Sequence, residues 1–368
     1  MIRVTGLVNT LKKNSVNFFT GVPDSILKEL SMYLNPSKKG KHVIAVNEGS
    51  AVSIAIGYYL AKKKLPCVYM QNSGLSNAIN PLISIADARV YSIPLVLIIG
   101  WRGSPGSKDE PQHKAKGQIT KKILDLLKIK YTVLKDSNDL KKFDKIIKFS
   151  KNNKTPVACL IENGILKKII NKNKTKKLKN KTINKKIFLE NLLKLAPKST
   201  RIISSTGYNS REIMDLRNKK KLTKGRDFYM VGGMGHTSSV ALGYSMFTSK
   251  KTLCVDGDGS LLMHMGSIKT LSDFANKNLK YFLLNNNTHE SVGGQKTNAD
   301  KINFSIFSKS LGFKKYYKIT DEKNIKKKIK SILSTKNTTF VEVKIDNYKK
   351  ENLPRPRDLK KIKNLFMK

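Results

Sequence analysis

The stretch Thr252-Leu253-Cys254-Val255-Asp256-Gly257-Asp258-Gly259-Ser260, continued by Leu284-Asn285-Asn286-Asn287-Thr288-His289-Glu290, decides how this chain is read. Thr252 to Val255 is a short apolar run of the kind that forms a buried parallel strand. It ends in Gly-Asp-Gly, where glycines let the backbone pass close to a ligand. An apolar, helix-compatible segment follows from Leu261 to Phe274, and a second strand-like run, Tyr281 to Leu284, ends in three asparagines. Two neighbouring parallel strands thus bring a carboxylate and carboxamides to one carboxyl edge, the usual ligand crevice of an open α/β sheet. Such donors suit Mg²⁺, which takes oxygen ligands from one or two protein groups and a diphosphate. Gly-Asp-Gly alone is more often a tight turn than a metal site.

The chain has 368 residues, 39% of them hydrophobic, enough for two domains that each bury a core. No apolar run reaches the ~20 residues of a spanning helix, and the start lacks a signal-peptide pattern. Cys67, Cys159 and Cys254 lie in or beside strand-like runs and read as small buried hydrophobes in a reducing cytoplasm. The formal charge of +46 ordinarily suggests an anionic partner such as nucleic acid. Here the lysines are spread along the chain among Asn and Ile with few aromatics, so they read as solvated decoration from a codon-level bias. Nucleic acid is therefore not the expected partner, although a positive field favours an anionic substrate.

In the first half, a helical stretch (Val4 to Lys13) precedes a short strand, Val16 to Thr20. The turn Gly21-Val22-Pro23-Asp24-Ser25 leaves it, with Ser25 placed to cap a helix from Ile26 onward. His42 to Val46 is the next strand, running into Asn47-Glu48-Gly49-Ser50-Ala51 and a small-residue helix to Leu60. A glutamate at such a junction also simply complements a helix N-terminus. Strands follow at Cys67 to Met70 and up to Gly100.

Gly-Asp-Gly, 25 further residues (260–284) and Asn-Asn resemble the thiamin-diphosphate signature of pyruvate-decarboxylase-like enzymes. By that resemblance Asp258 and Asn286 are side-chain Mg²⁺ ligands and the Thr288 carbonyl a backbone ligand. Asn47 to Ala51 with Gly57-Tyr58 resembles the "EGAA…GYA" element, Gln71 to Ala78 the "TSGPGATN" loop, and Ser92 to Gly100 the "SIPLVVITG" strand. The resemblance gives Glu48 the aminopyrimidine N1′ as partner, where a carboxylate favours the tautomer that deprotonates the thiazolium. Met230 to Ser239 holds a Gly-Gly-Met-Gly similar to the family's "GSxG", so Met234 is expected to prop the cofactor into its bent form. Cofactor contacts are thus expected at Glu48, Ser73, Gly74, Asn77, Gly232, Met234, Gly257, Gly259 and Ser260.

Narrower still, Gly100-Trp101-Arg102-Gly103-Ser104-Pro105-Gly106-Ser107-Lys108-Asp109-Glu110-Pro111-Gln112-His113 resembles the "GWRG.PG.KDEPQH" loop of phosphonopyruvate decarboxylases. "GVPDS.LK" (Gly21 to Lys28), "VYMQNSG" (Val68 to Gly74) and "HDSVGGQ" (His289 to Gln295, with Glu290 in place of Asp) match the same family. The resemblance implies substrate contacts from Ser25, Arg102, Lys108 and His113, with Arg bidentate on an anion, and proton chemistry from Asp24, His113 and His289. Without it, the loop reads as a solvated Pro/Gly turn and either histidine as a structural one.

Lys167 to Lys186 is mostly Lys and Asn and reads as a charged connector, and Leu353 to Lys368 as a basic tail. The expected organisation is α/β throughout: a pyrimidine-binding domain (1–165), a linker (166–186) and a diphosphate- and Mg²⁺-binding domain (187–368). Each is a mostly parallel sheet flanked by helices, with no middle domain. The resemblance further implies decarboxylation of a small anionic 2-oxo acid, 3-phosphonopyruvate, in phosphonate biosynthesis, by a homodimer or homotetramer with active sites at subunit interfaces. Sulfopyruvate is the alternative substrate, since the two head groups are nearly isosteric. A basic nucleic-acid-binding protein on a relict fold is the alternative of another class.

Overall fold

The computed structural model describes residues 1–34, 41–168, 182–219, 226–347 and 353–368. The chain divides into two compact units, Met1–Lys174 and Thr175–Lys368. In the first, six parallel strands, β1 (Phe19–Gly21), β2 (His42–Ile44), β3 (Cys67–Gln71), β4 (Val96–Gly100), β5 (Lys130–Leu134) and β6 (Val157–Ile161), stand in the order β2-β1-β3-β4-β6-β5. In the second, β7 (Arg201–Ser204), β8 (Asp227–Tyr229), β9 (Thr252–Gly257), β10 (Leu279–Asn285), β11 (Lys315–Ile319) and β12 (Thr339–Lys344) stand in the order β11-β12-β10-β9-β7-β8. Read from its other edge, the second sheet repeats the first strand for strand. In both, the order reverses beside the first strand of the unit, and a crevice opens there at the carboxyl edge.

The strands are continuous apolar runs because both faces are covered. Along β3 and β4, Cys67, Tyr69, Val96 and Ile98 pack to one side, and Val68, Met70, Leu97 and Ile99 to the other. The first side takes α1 (Val4–Lys13), α2 (Lys28–Leu34) and α6 (Asp139–Asn153). The second takes α3 (Glu48–Lys62), α4 (Leu75–Pro81) and α5 (Pro111–Leu126). In the other unit α7 (Lys185–Leu195), α8 (Tyr208–Lys219) and α13 (Ile325–Ser334) cover one face. The opposite face carries α9 (Thr237–Met246), α11 (Ser267–Phe274) and α12 (Phe304–Ser310), with α10 (Asp258–Met263) at the edge.

Four local expectations are corrected. The helix expected over Leu261 to Phe274 starts at Asp258 and breaks after Met263, because His264 leaves helical geometry and its ring stacks on His236, centroids 4.6 Å apart. The turn after β1 is capped by Asp24, not Ser25: Asp24 Oδ2 accepts from the amides of Ile26 and Leu27, each at 3.0 Å. The C-terminal basic tail contains a helix, α14 (Leu359–Met367), whose lysines lie beside a narrow apolar stripe. Its Phe366 is buried against Phe228 and Tyr244, and Arg201 Nε donates to the Phe366 carbonyl. Most of the expected connector, 169–181, lies outside the described residues, but its ends are structural. Leu166 bridges to Ile2, Ile183 bridges to Ile345, and Lys185 opens α7 as a buried residue. The three cysteines are free and buried, as expected.

Candidate active site

Corresponding strand ends carry the candidate residues of each unit, considered separately: those of β1, β2, β3 and β4 in the first unit, and those of β7, β9 and β10 in the second. In the first, Asn47 caps α3 by accepting from the Ser50 amide at 2.8 Å, which places Glu48 in the opening turn. Glu48 is buried, and its side chain lies where a Cβ on Gly74 would stand, Oε1 only 2.1 Å from that point. Its other oxygen accepts from Asn77 Nδ2 at 2.9 Å. A helix-start carboxylate turned to solvent needs neither feature, so the side chain is seated in the protein. Ser73, in the same turn, accepts from Gln71 Nε2 at 2.6 Å.

Asp24 has a similar seat: a Cβ on Gly100 would meet its Oδ2 at 2.2 Å. Burial raises the Asp24 carboxyl to about 6 against the opposing Leu27 amide and Arg102 charge, and Oδ1 has no hydrogen-bond partner among the described residues. Arg102 gives Nε and Nη2 to Asp109, at 2.7 and 2.5 Å, and Nη1 to Ser25 Oγ at 3.2 Å. The two-pronged grip expected of Arg102 on a substrate anion is therefore occupied by Asp109, leaving the edge toward Ser25. Its loop is not a solvated turn. Trp101 is buried with Nε1 on the Gly117 carbonyl, and Gly103, at φ +66°, packs so closely on α5 that a Cβ would strike the His113 carbonyl. His113 carries no charge near neutrality, since burial and Arg102 push it down to about 4, and its Nδ1 is unpartnered among the described residues. Lys108 is exposed on the loop.

Asn72, which sequence reasoning passed over, ties the two groups together. Its amide brackets one residue of backbone, accepting from Arg102 N at 3.1 Å and donating to Arg102 O at 2.9 Å, while also reaching Thr120. The seat of Glu48 and the Arg102 loop are thereby held in fixed register.

In the second unit, β9 ends in Gly257 and Asp258 stands in the first turn of α10. Asp258 is buried, and burial raises its carboxyl to about 6 even though Thr297 donates to Oδ2 at 2.5 Å. Gly259 is approached by the His289 ring, with Nδ1 2.9 Å from a would-be Cβ, and by Met234 Cε at 3.3 Å. Ser260 Oγ accepts from the Gly235 amide at 3.1 Å, joining the Gly-Gly-Met-Gly turn to α10; Gly232 lies half-buried at the start of that turn. Gly257 faces Asn209 and Ser205 from the end of β7, two polar side chains not singled out in the sequence. Burial pushes His289 down to about 4, so its imidazole is neutral near pH 7.

After β10, Asn286 Oδ1 accepts from the Thr288 amide and Nδ2 donates to Glu290. Thr288 pairs with Lys296 in a small antiparallel bridge whose bonds run through Asn287 and His289, so the Thr288 carbonyl lies outside them. Thr297 spans the two strand ends by donating to Asp258 and lying 3.3 Å from Asn287 Oδ1. A buried carboxylate with neutral donors, beside a carboxamide and a backbone carbonyl, is a donor set that fits one hard cation.

Residues 4–125 match the model of the thiamine pyrophosphate enzyme N-terminal TPP binding domain, and residues 205–343 that of the C-terminal TPP binding domain. The chain belongs to the thiamine pyrophosphate enzyme family. This thiamine pyrophosphate enzyme is similar over nearly its whole length to proteins named phosphonopyruvate decarboxylase. It is 30% identical to that of Streptomyces viridochromogenes, over 97% of this chain and 92% of that protein. It is 29% identical to that of Streptomyces hygroscopicus over 97% and 91%. A sulfopyruvate decarboxylase of Methanosarcina acetivorans matches at 25% identity over 95% of this chain and 93% of that protein. Among the described residues, no helix is long and apolar enough to cross a membrane.

Proposed function

We propose that this thiamin-diphosphate enzyme converts 3-phosphonopyruvate and a proton into phosphonoacetaldehyde and CO₂, using Mg²⁺ to hold the cofactor. The seat of Glu48 carries the mechanistic part: a buried carboxylate, moulded over a glycine and held by Asn77, placed as an acid–base group. The substrate is supported by the match to phosphonopyruvate decarboxylases over 97% of this chain, at higher identity than the sulfopyruvate decarboxylase of Methanosarcina acetivorans, which is matched over a similar length.

When bound, thiamin diphosphate supplies a nucleophilic carbon and a sink for the electron pair released as CO₂ leaves. Glu48 would hold the proton at the pyrimidine N1′. Asp258, Asn286 and the Thr288 carbonyl would hold Mg²⁺. Gly257, Gly259 and Ser260 would line the approach of the diphosphate, and Met234, beside Gly259, would support the ring. Asp24, with a carboxyl at about 6 and an Oδ1 without a hydrogen-bond partner among the described residues, is placed to return a proton to the product carbon. Ser25 and the Nη1 edge of Arg102 meet the anionic head, and neutral His113 and His289 can relay a proton, one ring nitrogen accepting as the other releases, with no net change of charge. Lys108 adds positive potential from the exposed loop.

The enzyme works as a homodimer or homotetramer. The helix that opens with Glu48, α3, is apolar nearly all round yet leaves Ile54 and Leu60 exposed. Such a helix normally lies in an interior, and a second copy supplies one. Sedimentation should give a dimer or tetramer; a fully active monomer would exclude this. Glu48→Gln should bind thiamin diphosphate and Mg²⁺ like the parent but lose ~10²–10⁴ in turnover; near-parental turnover would remove Glu48 from the role.

A further inference from the structure

We infer that Lys185 is a positioning residue for the metal site, acting through Glu290 on Asn286; this rests on the reading of Asn286 as a Mg²⁺ ligand. Lys185 is 3% exposed although it lies in a Lys/Asn-rich stretch. Its Nζ stands 3.2 Å from Glu290 Oε2 and 3.5 Å from Glu212 Oε2, and 5.4 Å from the centre of the Tyr208 ring. A buried ammonium carries a large desolvation penalty, so this arrangement persists only because two carboxylates face it.

Glu290 Oε2 also accepts from Asn286 Nδ2, at 3.3 Å. An ionised carboxylate only accepts, so the carboxamide is held with its NH₂ toward Glu290 and its oxygen away. That oxygen is the atom a hard cation takes. Outer groups that orient ligands in this way set metal affinity nearly as strongly as the ligands themselves. The residue at 290 is Glu where the resembling motif has Asp, and the longer side chain spans the gap between Asn286 and the start of α7. Lys185 thus ties α7 to the metal loop, and without it Glu290 is a buried charge lacking its cation.

The test is Mn²⁺ binding to the full-length protein in the presence of thiamin diphosphate, read by the EPR signal of free Mn²⁺. Lys185→Met should weaken Mn²⁺ binding by ~10–100-fold. Lys185→Arg should restore most of it, and Lys185→Met with Glu290→Gln should bind better than Lys185→Met alone, since the unpaired charge beside Asn286 is then removed. Unchanged Mn²⁺ affinity in Lys185→Met would overturn the inference. If Lys185→Met does not fold, Mn²⁺ binding by Glu290→Gln equal to that of the parent would overturn it instead. Asn286→Ala separates the two readings. If it binds Mn²⁺ normally, Asn286 is not a ligand; if it loses Mn²⁺ while Lys185→Met keeps it, only the role of Lys185 fails.

Discussion

Gly74→Ala probes the seat of Glu48 without touching the carboxylate. Gly74 has φ −86° and ψ −9°, a conformation open to alanine. On backbone grounds alone the change should stabilise the fold by ~0.4–1 kcal/mol. Its new methyl, however, would stand 2.1, 2.2 and 2.4 Å from Oε1, Cδ and Cγ of Glu48. Carbon contacts settle at about 3.5–4.0 Å, and since Cγ itself is blocked, rotating the carboxylate tip gives no relief. Glu48 must leave, breaking the 2.9 Å bond from Asn77. A hydrogen bond to a charged group contributes ~1.5–3 kcal/mol, so the net loss is about 1–2 kcal/mol after the backbone gain. Turnover should fall by ~10²–10⁴, the range for a displaced acid–base group. Urea denaturation and CO₂ release would be measured in parental and Glu48→Ala backgrounds. In Glu48→Ala the methyl meets nothing, so Gly74→Ala should there be neutral or stabilising and cost no further activity. Parental turnover in Gly74→Ala, or equal destabilisation in both backgrounds, would refute the seat.

Asp24 makes stability depend on pH. Its carboxyl is raised from 3.8 to about 6 in the folded state, so its stabilising contribution is full below about pH 4 and lost as pH climbs through 6. The span is ~3 kcal/mol, and Asp24→Asn should flatten the stability profile by that much between pH 4 and 7; an unchanged slope would dismiss the shift. Asp258→Ala should weaken Mg²⁺-dependent retention of thiamin diphosphate by more than the ~10–100-fold typical of an outer-shell partner, measured by equilibrium dialysis, and equal retention would remove Asp258 from the metal. Arg102→Lys replaces the fork on Asp109 by a point charge. Losing the Nη1 contact with the substrate anion, one charge-assisted bond of ~1.5–3 kcal/mol, should raise KM by roughly tenfold or more with a smaller change in kcat; an unaltered KM would show that this edge does not meet the substrate.

The sheets were legible because strands buried on both faces write themselves as uninterrupted apolar runs, Cys67 to Met70 and Tyr281 to Leu284 among them. Glu48, Asp258 and Asn286 could be placed near carboxyl strand ends because each comes shortly after a strand-like run, while the roles expected of them came from the resemblance. What stayed hidden depends on partners distant in sequence. The break at His264 is set by a ring stacked on His236, and a local apolar pattern carries no sign of it. Lys185 looks like its solvated neighbours until Glu212 and Glu290 are brought to it by folding. The lysines of α14 mask the stripe that buries Phe366. Arg102 was seen as a ligand for a substrate anion, but Asp109, seven residues on, takes its fork. That Gly74 and Gly100 are glycines for the sake of Glu48 and Asp24 is visible only when the side chains lie over them.

The central claim is tested most directly by CO₂ release from 3-phosphonopyruvate and, separately, from sulfopyruvate, each with and without thiamin diphosphate and Mg²⁺. The account predicts release that requires both cofactors and has a kcat/KM strongly favouring 3-phosphonopyruvate. A preference for sulfopyruvate would contradict the substrate, and no cofactor-dependent release from either acid would contradict the proposed chemistry itself.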